Sequence, residues 1–249
     1  MKGKKTLLGI FRIIVFNFLL YLISSSAINV SIYPLILSKK YLVSSLMIIF
    51  ILLFVIPLEA SFIQVIFMNP GRLKDEIEKR GVDLISNYEQ CRVCGLPKPP
   101  RCHHCSKCGY CILNMDHHCD ALGTCLGVRN YKLFILILFY GALSCFAGAI
   151  VTFISIFITE NISKVSQTFI TIFLIVLGIG LYSFQKIYID LSINGSSTIE
   201  NMFPEMKQNN KNYIKLDNLM GKGFMKYIPI RSDINPFEFT LLNEDSESL

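Results

Sequence analysis

The sequence predicts an α-helical integral membrane protein with four transmembrane helices and a loop-rich, cysteine-rich module between the second and third helices. Hydrophobic residues make up 52% of the 249 residues, and the mean hydropathy is +0.49, which is too apolar for an ordinary soluble domain. The segment 91–125 contains eight of the nine cysteines and all four histidines, and long apolar stretches flank it on both sides. A module rich in metal-ligand residues therefore interrupts a chain whose expected solvent is the membrane.

Four long runs without a charged residue predict the four helices. They span 13–38, 41–58, 133–159 and 165–185. A helix of about 20 residues crosses a hydrocarbon core of roughly 30 Å, and it satisfies its backbone hydrogen bonds internally, as lipid requires. We therefore predict transmembrane helices at about 13–35, 43–67, 133–157 and 166–185.

These helices divide the chain into four regions. From the amino terminus they are a transmembrane hairpin at 1–69, the cysteine-rich module at 70–132, a second transmembrane hairpin at 133–185 and a carboxy-terminal tail at 186–249. Asn69-Pro70-Gly71 marks the end of the second helix, because proline and glycine stop helical continuation.

The distribution of basic residues predicts the orientation of the helices. The loop 69–132 contains ten lysines and arginines, whereas the two opposite connections contain only Lys39, Lys40 and Lys164. Because lysine and arginine near helix ends are retained on the cytosolic side, we expect both termini and the module to be cytosolic. The cytosol is reducing, so the clustered cysteines are expected to bind metal or to do thiolate chemistry rather than form disulfides.

The cysteine spacing points to structural zinc. Two thiolates three positions apart can bind one tetrahedral ion, and this spacing occurs at Cys91/Cys94, Cys105/Cys108 and Cys108/Cys111. Six glycines and prolines within 91–125 leave little room for a hydrophobic core, so metal binding is expected to supply the folding free energy, on the order of 10 kcal/mol or more per site. Two zinc ions would use eight of the twelve cysteines and histidines, and spacing alone leaves open which four are spare.

The tetrad Asp116-His117-His118-Cys119 adds a candidate nucleophile with its own base. At this point the motifs match a known family. The segment resembles the DHHC-type protein S-acyltransferases in Cys91-x2-Cys94, Lys98-Pro99-x-Arg101, His104-Cys105, Cys108, Cys111, Asp116-His117-His118-Cys119, Cys125 and Asn130. Two shorter segments are similar to family motifs at the expected places after the second and fourth helices, namely Asn69-Pro70-Gly71 and Ser197-Thr198-Ile199-Glu200.

The resemblance implies a specific set of ligands for two zinc ions, each bound by three cysteines and one histidine. The first set is Cys91, Cys94, His104 and Cys111, and the second is Cys105, Cys108, His118 and Cys125. Three cysteines lie outside both sets: Cys119 is the candidate nucleophile, and Cys102 and Cys145 are interpreted as packing residues.

The resemblance also implies a two-step acyl transfer with a long-chain acyl-CoA, such as palmitoyl-CoA, as cosubstrate. His117 acts as base toward Cys119, Asp116 fixes the histidine tautomer, and the Cys119 thiolate attacks the thioester. The acyl group then passes to a cysteine of a membrane-associated protein. Lys98, Arg101 and His103 resemble family positions that contact the phosphates of CoA, although ordinary cytosolic positive charge explains any one of them equally well.

The sequence departs from the family directly after the nucleophile. Where the family commonly has Pro-Trp and then Asn-Asn, this chain has Asp120-Ala121 and Gly123-Thr124, and it contains no tryptophan. A carboxylate at Asp120 is expected to raise the pKa of the Cys119 thiol unless a cation such as Arg129 compensates. Because Asp116, His117 and Cys119 are all present, we predict an active but divergent enzyme.

Two other functions share features of this sequence. The alternative is a catalytically impaired, zinc-scaffolded membrane adaptor that uses the same fold to bind a partner. Nucleic-acid binding is disfavoured, because orientation accounts for the basic loop and no pattern of stacking aromatics accompanies it. The resemblance further implies an endomembrane location, in the endoplasmic reticulum or Golgi, and leaves an accessory subunit open.

Overall fold

The computed structural model describes residues 2–81, 86–159, 164–206, 219–221, 223–230 and 237. Within these ranges the chain forms helices and two small antiparallel hairpins. The helices are α1 (Lys2–Ala27), α2 (Tyr33–Leu37), α3 (Tyr41–Phe67), α4 (Leu73–Arg80), α5 (Tyr131–Ile158), α6 (Lys164–Ile193) and α7 (Thr198–Met202). The strands are β1 (His103–Cys105), β2 (Tyr110–Ile112), β3 (His117–Cys119) and β4 (Thr124–Leu126).

Among the described residues, four helical spans are long and apolar enough to cross a membrane, which confirms the predicted fold class. They are Gly9–Leu37, Tyr41–Phe67, Tyr131–Ile158 and Lys164–Ile193. The first span joins α1 to α2 through a π-helical turn at Ile28–Ile32. The cysteine-rich module lies between the second and third spans in the chain, as the sequence predicts.

Helix α6, which forms the fourth apolar span, continues to Ile193, beyond the end near 185 that the uncharged run predicts. The extension is amphipathic. Tyr188 and Ser192 lie one turn apart on a buried face, whereas Lys186 and Asp190 are exposed. Charged residues on the exposed side therefore end the apolar run without ending the helix.

The chain divides into two compact units. The helical unit comprises the described residues of Met1–Ile63 and Leu136–Lys186. Its interior contains a buried polar cluster, in which Nε2 of Gln167 donates to the Val30 carbonyl at 2.8 Å and to Thr159 Oγ1 at 2.9 Å. It also contains an apolar cavity of about 270 Å³, lined by residues that include Leu58, Cys145 and Leu174. Cys145 thus lies in an apolar setting, in keeping with a packing residue.

The site unit comprises the described residues of Gln64–Ile135 and Ile187–Leu249. In its two hairpins His104 pairs with Cys111 and His118 pairs with Cys125, so each hairpin brings a histidine opposite a cysteine. Cys102 is 1% exposed and packs in a core with Leu73 and other buried residues of this unit. This burial agrees with its interpretation as a packing residue.

Three similar turns shape the cysteine-rich module. The backbone N–H groups of Gly95, Gly109 and Gly123 donate to the carbonyls of the cysteines four residues earlier, at 2.8, 2.7 and 2.7 Å. All three glycines have φ between 65° and 75°, a left-handed conformation that costs glycine little and other residues more. A glycine at the end of each turn therefore lets the chain fold back over a cysteine.

Candidate active site

The structure brings the first expected set of zinc ligands together. One ligand atom from each of four residues lies within 4.8 Å of all the others, and the four are Cys91, Cys94, His104 and Cys111. Nδ1 of His104 lies 3.1 Å from the sulfur of Cys94 and 3.7 Å from that of Cys111. The imidazole therefore presents Nδ1 to the centre of the cluster.

The second expected set also converges on one point. It consists of Cys105, Cys108, His118 and Cys125. Nδ1 of His118 lies 3.4–3.5 Å from all three sulfurs, and the sulfurs of Cys108 and Cys125 are 3.4 Å apart. An ion bound at roughly 2.3 Å from sulfur and 2.0–2.1 Å from nitrogen requires ligand atoms about 3.5–3.8 Å apart in a tetrahedron. Both clusters fit zinc in donor type, donor number and spacing.

Asp116, His117 and Cys119 lie outside both clusters and form a hydrogen-bonded centre of their own. Oδ2 of Asp116 lies 2.6 Å from Nδ1 of His117, so the other ring nitrogen is left for the Cys119 thiol, with which His117 also hydrogen bonds. Asp116 in turn accepts hydrogen bonds from the backbone N–H and the hydroxyl of Thr198, each at 2.8 Å. Thr198 is the first residue of α7, so a distant segment orients the carboxylate.

Aromatic rings surround the His117 imidazole. Tyr188 stacks on it with ring centroids 5.6 Å apart, and Phe134 meets it edge-on at 5.8 Å. Phe134 and Tyr188 also contact each other, with centroids 4.8 Å apart. These rings confine the imidazole to the plane that keeps it between Asp116 and Cys119.

The electrostatics favour a thiolate and an imidazolium. Burial opposes ionisation of both groups, but the hydrogen bond from His117 and the N–H groups of Leu122 and Ala121 outweigh it and lower the pKa of the Cys119 thiol. Burial likewise disfavours the charged His117, but hydrogen bonds to Asp116 and Cys119 outweigh it and raise its pKa to about 9. These contacts favour the thiolate form of Cys119, which is the form that a nucleophile requires.

Comparison with known proteins agrees with this geometry. A family model described as DHHC palmitoyltransferase matches residues 85–205. We refer to the matched residues, which are slightly less than half of the chain, as the DHHC domain. This match includes both clusters and the Asp116-His117-Cys119 centre, and it confirms the resemblance found in the sequence.

Several curated proteins are similar to part of this chain. Probable protein S-acyltransferase 14 of Arabidopsis thaliana is 36% identical over 118 residues, which are 44% of this chain and 38% of that protein. Palmitoyltransferase pfa3 of Emericella nidulans is 40% identical over 118 residues, 44% of this chain and 23% of that protein. Palmitoyltransferase ZDHHC15 of Xenopus laevis is 41% identical over 87 residues, 34% of this chain and 26% of that protein. The similarity thus covers less than half of this chain and of each relative.

The structure changes the expected partner of Asp120 in the DHHC domain. Nζ of Lys107 lies 2.6 Å from both carboxylate oxygens of Asp120. Arg129, the cation expected from the sequence, instead pairs with the fully buried Glu76 at 3.0 Å. Lys107 lies in the turn between Cys105 and Cys108, so only folding brings it next to the residue that follows Cys119. The negative charge beside the nucleophile is compensated, but by a different cation.

Lys98, Arg101 and His103, the residues expected to contact CoA, line one cleft of about 770 Å³ in the site unit. Their environments differ. Arg101 is largely buried, since its Nε donates to Glu200 at 2.9 Å and its Nη2 donates to the Gly195 carbonyl at 3.0 Å. Burial and the nearby Lys98 charge lower the pKa of His103 to about 4, so this ring is neutral near pH 7.

The Arg101–Glu200 pair predicts a large effect on stability. Replacing Arg101 by alanine leaves the buried Glu200 carboxylate without its cation. We therefore expect the free energy of unfolding to fall by about 3 kcal/mol and the midpoint of thermal unfolding to fall by about 6–12 °C. The tyrosine fluorescence of detergent-solubilised protein, recorded during heating, measures this shift, because the chain has 11 tyrosines and no tryptophan. Arg92→Ala, which removes a cation from the same cleft, is the control. An equal, small shift in both variants would contradict the assignment.

One signal of the site was present in the sequence but missed. Corresponding residues recur at intervals of 14, as in the cysteines at 91, 105 and 119, the glycines at 95, 109 and 123, and the histidines at 104 and 118. In the third copy Leu122 stands where the first two copies have the ligands Cys94 and Cys108. The catalytic candidate Cys119 therefore lies on a zinc-knuckle-like turn. The N–H groups of Ala121 and Leu122 in this turn donate to the Cys119 sulfur, which belongs to neither ligand set.

Proposed function

We propose that the protein is a protein-cysteine S-acyltransferase that moves a long-chain acyl group, such as palmitoyl, from acyl-CoA to cysteines of membrane-associated proteins. The observation that carries this proposal is the Asp116–His117–Cys119 centre, in which the one cysteine of the DHHC tetrad lies outside both metal clusters and contacts an oriented histidine. A zinc-bound thiolate is a poor nucleophile, whereas a free thiolate beside an imidazolium is a good one.

In the first step the Cys119 thiolate attacks the thioester carbonyl of acyl-CoA. The sulfur–carbon bond to CoA breaks, and the leaving CoA thiolate takes the proton that His117 holds. Asp116 fixes the His117 tautomer through Nδ1, so the proton is presented from the nitrogen that faces Cys119. The product is an acyl-Cys119 thioester and free CoA thiol.

In the second step a substrate cysteine replaces CoA. His117, now neutral, accepts the proton of the substrate thiol, and the resulting thiolate attacks the acyl-Cys119 carbonyl. Cys119 leaves as a thiolate, and His117 is again protonated beside it. The two steps are chemically symmetrical, so one base serves both.

The two Cys/His clusters would hold zinc, with the eight residues of the ligand sets as predicted. Zinc bound there would supply structural cross-links rather than a Lewis acid for the acyl transfer. The cross-links fix hairpins of only three-residue strands, which have little core of their own. His118 in the second cluster lies between His117 and Cys119, so the same cross-link positions the catalytic strand.

The cleft with Lys98, Arg101 and His103 is proposed to bind the phosphates of CoA. Lys98 and Arg92 supply charge, His103 supplies a neutral hydrogen-bonding ring, and Arg101 acts mainly by fixing α7 through Glu200. The acyl chain requires apolar surroundings, which stabilise it by about 0.8 kcal/mol per buried methylene. The helical unit, considered by itself, contains an apolar cavity of a suitable kind.

We further propose that both termini and the DHHC domain face the cytosol of an endomembrane, the endoplasmic reticulum or Golgi. The asymmetry of basic residues supports this orientation. The bilayer, acyl-CoA and cysteine-containing proteins are the proposed partners, and an accessory subunit is compatible with this arrangement. Labelling of the purified protein with palmitoyl-CoA tests the proposal, because an adaptor that has lost turnover takes up no thioester label.

Thr198 provides a test of how Asp116 is held against His117. Thr198→Val removes the hydroxyl that donates to Oδ2 of Asp116 but keeps the shape and the backbone N–H bond. A hydrogen bond to a charged group contributes about 1.5–3 kcal/mol, so we expect the rate of acyl-Cys119 formation to fall about 10-fold or more. Single-turnover labelling measures this rate. Thr198→Ser keeps the hydroxyl, so its rate of acyl-Cys119 formation should be close to that of wild type. Equal rates for the valine and serine variants would show that the Thr198 hydroxyl does not support Asp116 in catalysis.

A further inference from the structure

The histidine of the second metal cluster has one ring nitrogen left over. Nδ1 of His118 faces the sulfurs of Cys105, Cys108 and Cys125 at 3.4–3.5 Å. With Nδ1 bound to a metal, Nε2 must carry the ring hydrogen. Oδ1 of Asp120 lies 3.4 Å from Nε2. The residue that interrupts the family pattern after Cys119 therefore faces the outer side of a metal ligand.

Asp120 is itself held in place. Both of its oxygens lie 2.6 Å from Nζ of Lys107, which is part of the turn that carries Cys105 and Cys108. Asp120 begins the turn that links β3 to β4, and β4 carries Cys125. The Lys107–Asp120–His118 contacts thus run from one ligand-bearing turn of the second cluster to the histidine of the same cluster.

We propose that Asp120 is a positioning residue for the second zinc site, and that it acts by accepting the Nε2 hydrogen of His118 while Lys107 holds its carboxylate. A carboxylate on the outer nitrogen of a metal-binding histidine fixes the tautomer and the ring orientation and makes the ligand more basic. His118 immediately precedes Cys119, so a fixed imidazole also fixes the strand that presents the nucleophile. This inference rests on the zinc occupancy proposed above.

In this role Asp120 accounts for a carboxylate directly after Cys119, where the family commonly has Pro-Trp. Where the family commonly has proline, a rigid turn residue, this chain has a carboxylate that contacts a metal ligand. The same contacts direct the Asp120 carboxylate toward Lys107 and His118. Asp120, whose charge is unfavourable next to Cys119, thus contributes to the metal site that supports the Cys119 strand.

The test is the rate at which purified full-length protein releases zinc to a colorimetric chelator. Wild-type protein should contain two zinc ions per chain before the challenge. We expect Asp120→Ala to release one of them about 10-fold faster, while the other leaves at the wild-type rate, because the contact involves only His118. Asp120→Asn, which keeps an acceptor oxygen without the charge, should give an intermediate rate. Glu78→Ala removes an exposed acid from α4 and serves as the matched control, with no change expected.

Lys107→Met separates this role from a simple surface ion pair. If Asp120 acts through His118, the loss of Lys107, which only holds the carboxylate, should accelerate release less than the loss of Asp120, which accepts the Nε2 hydrogen. Equal, small effects of Lys107→Met and Asp120→Ala would overturn the proposal, because exposed ion pairs contribute little. So would accelerated release of both ions together. A wild-type protein that folds without zinc would refute the zinc assignment itself, which is a different result.

Discussion

Replacing Cys119 by serine is expected to abolish acyl labelling of the protein by palmitoyl-CoA. The label on wild-type protein should be a thioester, and neutral hydroxylamine should release it. Serine keeps the size of the side chain, but its hydroxyl cannot form the thiolate that the hydrogen bonds from His117 and two backbone N–H groups stabilise. We expect the label to fall below detection, at least 10³-fold below wild type, because loss of the nucleophile removes the covalent route. In-gel fluorescence with an alkyne analogue of palmitoyl-CoA measures the effect.

Cys145→Ser is the matched control for this experiment. Cys145 is the one cysteine outside the 91–125 segment, and it lies buried in the helical unit rather than beside a base. This variant should label as wild type does. Zinc-loaded, folded wild-type protein without releasable label would favour the adaptor function. Label that persists in Cys119→Ser would place the acyl group on another residue and would contradict the assignment of the nucleophile.

Removing a metal ligand is expected to have the largest effect on folding. Cys108→Ser should reduce the zinc content from two ions per chain and unfold the cysteine-rich module, because one structural zinc site contributes on the order of 10 kcal/mol, which is comparable to the whole stability of a small domain. Metal analysis of purified protein and limited proteolysis of the module measure the two consequences. Excess chelator should have the same effect on wild type.

Cys102→Ser controls for the loss of a cysteine in the same module. Cys102 is as buried as the ligands but belongs to neither cluster, so the variant should retain both zinc ions and lose only packing. Serine in a buried apolar site costs roughly 1–3 kcal/mol, far less than a zinc site. A Cys108→Ser protein with two ions and wild-type protease resistance would exclude Cys108 as a ligand.

The sequence determined the features that depend on local pattern. Charge-free runs predicted four apolar helices, since a helix must be about 20 residues long and apolar to cross the hydrocarbon core of a membrane. The DHHC tetrad placed a carboxylate, an imidazole and a thiol within four positions, and the family pattern grouped the eight ligand candidates as the structure does. A 14-residue recurrence of cysteine and glycine was also readable from the sequence, and it would have assigned Cys119 to a knuckle-like turn.

Only the tertiary structure decided which residues support that centre. Thr198 is 82 positions from Asp116, Glu200 is 99 positions from Arg101, and Tyr188 reaches His117 from the end of a membrane-spanning helix. Lys107 rather than Arg129 meets Asp120, because a zinc-knuckle turn and a buried Glu76 direct the two cations to different places. Local composition specifies helices and ligand types, but the choice of a partner for each charge depends on which surfaces are buried against each other, and that is fixed only when the chain folds.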